Sequence, residues 1–442
     1  MTIRLTGSDN KYLQSFVPAT IDGPADEQIS VDSRPPDEQA KTKDCLTLVR
    51  RVTGPHADEL FFVCRPESPA ADVAAQAVSA YAAMLDLLAS QGVSPESVVS
   101  ETLFVADVQA DTETILDRRR LVLERSAQAP FRPPTAVVGQ PPLIGGASLE
   151  LAVCAVVRRG PREPARPSNG DLSFPATVYS VGGQTHLHAG NIYGSAKNAF
   201  DQAYEMFCAG EQLLNKAGMD FHHVVRTWIY LRDMDRDYAE FNRARREFFR
   251  SRAIDLKPAS TAVGGIPYGE DHDFCLRLHA VKSPSPLTPV VMSTPTLNEA
   301  WTYGSDFSRG LKIEEANKVT VYISGTASVD EAGYTVHVGD VEAQAERMLV
   351  NIAALLETQG ASFGDLVSAV AYVKESADVE KLRTIFHKRG FEGFPCTFVE
   401  SDICRPELLC ETEAVAVLPL PASSGSGKGP RNGPRHNGGG PS

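Results

Sequence analysis

Glu411 stands in an otherwise apolar run, LLCETEAVAVL, at 408–418. Glu413 follows two residues later and so shares its face of a strand. Desolvation raises the pKa of a carboxyl in such a setting, and two carboxylates on one face hold a proton between them. The pair is therefore a candidate proton donor. The alternatives are a structural carboxylate for Glu411 and a salt-bridged rim position for Glu413. Arg226 lies inside another apolar run, VVRTWIY. A buried cation is expensive without a partner, so Arg226 either meets a ligand or pairs across two domains. His186 and His188 alternate on QTHLHAG and face one side, but a metal needs a third ligand. His222 and His223 are adjacent and face opposite sides. The glycine pairs at 182–183 and 264–265 form no phosphate loop. No metal and no cofactor are expected.

The elements that position these residues repeat three times. GVSPESVVSETLFVAD runs from Gly92 to Asp107, GMDFHHVVRTWIYLRD from Gly218 to Asp233, and GASFGDLVSAVAYVKE from Gly360 to Glu375. A threonine landmark follows: Thr135 and Thr261 each lie 43 residues after their glycine, and Thr397 lies 37 after its own. An amphipathic helix precedes each glycine. In VEAQAERMLVNIAALLETQG (341–360), Met348, Ile352 and Leu355 mark one buried face and Gly360 the C-terminal cap. A strand follows, then a second helix such as DRDYAEFNRARREFFRSR, then a closing strand. In the third copy two strands, KVTVYISGTASV and YTVHV, precede the first helix. The predicted order is ββαβαβ, an α+β unit with two helices on one face of a mixed sheet.

The chain has 442 residues, enough for about three domains. Linker-like stretches at 158–171 and 282–289 divide it into 45–158, 171–282 and 287–420. Residues 1–44 and 421–442 read as flexible ends. A net charge of −13 argues against nucleic acid and against an anionic membrane, but leaves small anionic ligands open. No uninterrupted apolar run reaches a membrane span, and the start, MTIRLTGSDNKYLQ, has no secretory pattern. The eight cysteines include no CxxC, which fits a reducing, cytoplasmic setting.

The third copy resembles the Rid (YjgF-like) family through ISGTASVD (323–330), VGDVEAQ (338–344), Asn351-Ile352, GASFGDLVSAVAYV (360–373) and LLCETEAVAV. The first two copies resemble degenerate units of the same chorismate-mutase-like fold. The resemblance implies trimers with pockets at their seams. Here that means either a homotrimer or a pseudo-trimer within one chain. The family's deaminase chemistry needs an arginine clamp at a position occupied here by Cys396, Ala259-Ser260 and Pro133-Pro134.

Residues 171–420 resemble the chorismatases. The carriers are VVRTWIYLRD (224–233), the helix with Tyr238 and Phe241, PASTAVGG (258–265), Tyr303-Gly304, Phe307-Ser308-Arg309, TVHVGDVEAQ (335–344) and SDICRPELLCETE (401–413). This resemblance implies removal of pyruvate from chorismate, a dianionic enol ether, giving 3-hydroxybenzoate or a dihydroxycyclohexadiene carboxylate. Glu411 is then the acid. Arg405, Arg309 and Arg226 hold carboxylates, Tyr303 and Glu413 flank the substrate, and Cys404 shapes the pocket as in the 3-hydroxybenzoate-forming type. The alternatives are an enamine or imine deaminase with an altered clamp, and a non-catalytic small-molecule binder of the same fold.

Overall fold

The computed structural model describes residues 30–31, 48–126, 135–159, 174–299 and 306–420. It is α+β, with three tandem units, each built on five strands of a mixed sheet and carrying two helices; Ser30–Val31 and Ile266–Pro267 extend the first sheet to seven strands, and Val290–Val291 extends the third to six. The helices are α1 (Val73–Ser90), α2 (Val108–Ser126), α3 (Ala199–Lys216), α4 (Met234–Ser251), α5 (Val341–Glu357) and α6 (Val379–Lys388). Capping follows the sequence: the side chains of Asp72, Asn198, Asp233 and Asp340 accept from backbone N–H groups in the first turns of α1, α3, α4 and α5. By length and composition α1 is apolar enough to cross a bilayer. Here it buries Ala77, Ala80, Tyr81, Met84 and Leu88 in the core of its own unit.

The order of the five shared strands is the same in all three sheets. In the third unit it runs Gly310–Glu314, Val319–Ala327, Cys410–Leu418, Leu366–Val373, Cys396–Glu400. The last of these is an element beyond the six expected per unit. Its counterparts are Thr135–Gly139 and Ala259–Gly264. Each pairs parallel with the strand that follows the unit's first helix, closing a βαβ crossover. These strands are too short to show an alternating pattern. The expected strand at 334–338 is a loop instead. Tyr334 is 72% exposed and Val338 66%, so no core draws the segment flat. His337 (φ 61°) and Gly339 (φ 80°) turn it back. The strands before α5 are Gly310–Glu314 and Val319–Ala327.

The units meet head to tail. The short strand of the first lies against Gln184–Ile192, where Val137 N donates to Asn191 Oδ1 at 2.9 Å. That of the second lies against Val319–Ala327, where Gly325 N donates to Thr261 Oγ1 at 2.9 Å. That of the third returns to the first unit, where Leu143 N donates to Phe398 O at 2.8 Å. Lys318, held by Glu59 at 2.5 Å, also ties the first and third units. Each unit packs its helices on one sheet face. The opposite faces meet in the middle, where Phe104, Tyr230 and Tyr372 occupy equivalent strand positions beside Val138, Val263 and Val399.

Candidate active site

The seam between the second and third units encloses a cavity of about 320 Å³. The second unit contributes Tyr238, Asn242 and Arg245 from α4, and Ser260 and Ala262 from its short strand. The third contributes Gly325 and Ala327 from one strand, Glu411 from the closing strand, and Cys404, Arg405 and Leu408 from the loop before it. Phe307 and Arg309 come from the connecting segment.

Glu411 is 5% exposed, and its carboxyl forms no hydrogen bond among the described residues. It passes across Gly325 so closely that a Cβ there would lie 1.9 Å from Glu411 Oε1. Any side chain at 325 would therefore displace the acid. Burial, and then the neighbouring Glu413, push the Glu411 carboxyl up to about 8; Arg309, Arg226 and Arg405 pull against them. Near neutral pH this carboxyl is mainly protonated.

The arginines are aimed by neighbouring oxygens. Arg309 Nε donates to Asn298 O at 2.9 Å, and Arg405 Nη1 to Gly333 O at 2.7 Å. Arg245 Nη2 donates to Asn242 Oδ1 at 2.7 Å, and its guanidinium lies 4.9 Å from the Phe241 ring centroid. Three guanidinium groups thus edge a cavity that also presents a proton donor. Guanidinium forks match carboxylates, so the arrangement suits an acidic ligand that needs a proton. Burial, then the nearby Glu411, push the Cys404 thiol up to about 12, so it is a neutral wall rather than a nucleophile.

Of the residues singled out from sequence, Glu411, Cys404, Arg405 and Arg309 come together here. Arg226 and Glu413 do not line this cavity. They pair across the seam behind it: Arg226 Nη2 donates to Glu413 Oε2 at 2.8 Å and Trp228 Nε1 to Glu413 Oε1 at 2.6 Å. The shared strand face is real, but Glu411 leans to the seam while Glu413 is drawn towards the middle. Tyr303 lies outside the described residues. Arg245 was not anticipated. Its signal was the spacing of Tyr238, Asn242 and Arg245 along one face of α4.

The repeats show why this seam differs. Glu411 has Glu150 and Cys275 as its counterparts, each the second residue of a closing strand. Glu150 is fully buried and receives Arg65 Nε at 3.1 Å, so its carboxylate already has a cation. Cys275 carries no acid.

Residues 175–266 and 305–418 match the endoribonuclease L-PSP family model. Over 97 residues the chain is 30% identical to a RutC family protein of Pyrococcus abyssi, covering 76% of that protein and 22% of this chain. The chain belongs to this family, also known as Rid or YjgF. It is 28% identical over 236 residues to a 3-hydroxybenzoate synthase of Streptomyces hygroscopicus, covering 47% of this chain and 66% of the relative. A chorismatase of Streptomyces rapamycinicus is 27% identical over 221 residues, covering 45% of this chain and 65% of the relative. The chain thus spans just under two thirds of these two relatives' lengths. A chorismatase crystal structure superposes with a TM-score of 0.56 at 19% identity, covering 73% of this chain and 93% of the other. The fold is shared.

A carboxyl that holds its proton up to about pH 8 makes stability depend on pH. Its folded pKa exceeds the ordinary 4.5, so between the two the folded chain keeps a proton that the unfolded chain has lost. Stability then declines as pH rises through that window. Glu411→Gln removes the decline. The melting temperature of Glu411→Gln relative to the parent should rise steadily from pH 5 to pH 8, by up to roughly 1.4 kcal/mol of stability per pH unit. A difference that is constant with pH contradicts this.

Proposed function

We propose that the chain is a chorismatase-like enzyme that removes pyruvate from chorismate. The observation that carries the reading is a buried Glu411, its carboxyl pushed up by desolvation, facing a cavity edged by Arg245, Arg309 and Arg405. Two relatives bear the names 3-hydroxybenzoate synthase and chorismatase, which supports the same class.

The guanidinium groups hold the two carboxylates of the substrate. Glu411 delivers its proton to the methylene carbon of the enol ether, leaving a carboxylate on the enzyme and an oxocarbenium ion on the side chain. The Glu411 carboxylate then lies beside the cation it created, which favours that state. Capture of the cation by water gives a hemiketal, whose collapse releases pyruvate and a dihydroxycyclohexadiene carboxylate. Capture by a ring hydroxyl opens the route to 3-hydroxybenzoate. In either case the proton lost by the capturing oxygen restores Glu411. Cys404, small and neutral, belongs to the wall, and its resemblance favours 3-hydroxybenzoate.

The deaminase reading is weaker at this seam. The position of that family's arginine clamp holds Ala259-Ser260, and Ser260 is what faces the cavity. Ammonia release from freshly generated iminopropionate, without pyruvate release from chorismate, would favour it instead.

With chorismate, a coupled pyruvate assay should show turnover that Glu411→Gln lowers by roughly 10²–10⁴-fold while the protein stays folded. Turnover unchanged in that variant, or none from folded parent protein, ends the proposal. The rate of the parent should fall as pH passes about 8. In Glu413→Gln the fall should begin at lower pH, because a negative neighbour is lost and Arg226 loses its counter-charge. An unmoved limb contradicts that coupling.

We read the assembly as a pseudo-trimer closed within one chain, since the three units already meet head to tail. Light scattering should then give one chain's mass, 47.7 kDa. Three times that mass would favour a homotrimer.

A further inference from the structure

A second cavity lies where the three sheets face one another, apart from Glu411. It holds about 130 Å³. That is slightly below the ~150 Å³ of an apolar cavity that accommodates benzene, so a single ring is the upper limit and its substituent must reach the chamber's edge, where Arg277 stands. All three units build its walls: Phe61 and Phe104 from the first, Trp228 and Tyr230 from the second, Val370 and Val415 from the third. Flat aromatic surfaces of this kind suit a ring.

Two cations, Arg277 and Lys318, and two carboxylates, Glu59 and Glu413, edge this chamber. Arg277 holds the strand position that Ala152 has in the first unit and Glu413 in the third. Its guanidinium lies 4.1 Å from the Trp228 ring centroid and donates to Ser100 Oγ at 3.1 Å. The neighbouring charges are engaged with one another: Arg226 with Glu413 at 2.8 Å, and Lys318 with Glu59 at 2.5 Å and Glu315 at 3.5 Å. Among the described residues Arg277 has no acidic partner at ion-pair distance. A second observation points the same way. Thr102 and His188 also line the chamber, and each carries a buried polar atom with no hydrogen-bond partner among the described residues. Burial pushes the His188 imidazole well down, so it is neutral and adds no charge.

We propose that this chamber binds a small ring-bearing monocarboxylate, its carboxylate on Arg277 and its ring against Trp228 and Phe104. The half-buried Arg277 guanidinium gains from a planar anionic partner, which supplies a counter-charge. The volume excludes a nucleotide or any ligand of several rings. This site shares no residue with the Glu411 cavity, and its occupancy does not depend on what that cavity does.

Trp228 reports directly on the chamber. The chain has two tryptophans, so Trp301→Phe leaves Trp228 alone. Titrating that full-length protein with benzoate should change its emission saturably. Arg277→Gln should weaken binding by roughly tenfold or more. Ala152→Leu, which fills the wall without removing a charge, should abolish the response. Arg309→Gln, in the other cavity, should leave it in place. The proposal is overturned if folded protein shows no saturable change up to about 10 mM benzoate, which leaves water as the occupant. It is equally overturned if neither chamber variant alters the titration, or if Arg309→Gln abolishes it.

Discussion

The account depends on a carboxyl deprived of water at a junction between two repeats. Glu411 is surrounded by groups that pull its proton affinity in opposite directions. Burial and Glu413 raise it, and three arginines lower it. The balance favours the acid because the arginines are directed elsewhere in part: Arg309 and Arg405 towards backbone carbonyls, and Arg226 towards Glu413. Gly325 makes the arrangement possible, since only a residue without Cβ leaves room for the carboxyl. The result is a proton donor beside cations, an unusual pairing that a dianionic ligand would complete.

Repetition explains how one chain holds sites of different character. The same closing-strand position carries Glu150, Cys275 and Glu411, and the position two residues on carries Ala152, Arg277 and Glu413. A homotrimer must place one side chain at all three equivalents. This chain sets them independently: one seam holds an acid that faces a cavity, another pairs its glutamate, also raised by burial, with Arg65, and the middle receives a cation, an anion and a methyl group. Fold alone does not decide chemistry, and here three copies of one fold differ in it.

Much of this was legible in the amino-acid order. The recurring glycine-to-threonine interval placed the units, because each glycine ends a helix and each threonine opens or enters the parallel edge strand. Glu411 was legible because a charge in an apolar strand needs a reason. The edge strands themselves were not, since five residues such as TAVVG give no periodicity. YTVHV alternated like a strand but has no sheet beneath it. Arg245 was hidden because a helix arginine four residues from Phe241 looks like solvated surface until another unit covers it. The divergence of Glu411 and Glu413 also depends on that neighbouring unit, where Arg226 and Trp228 hold one of the two.

The central claim concerns a single proton, and infrared difference spectroscopy observes it. Spectra of the parent protein minus Glu411→Gln, recorded across pH, isolate the stretch of that one carboxyl. The account predicts a carboxylic-acid carbonyl band at neutral pH that gives way to carboxylate bands as pH passes about 8. Carboxylate bands already complete by pH 6 would contradict it.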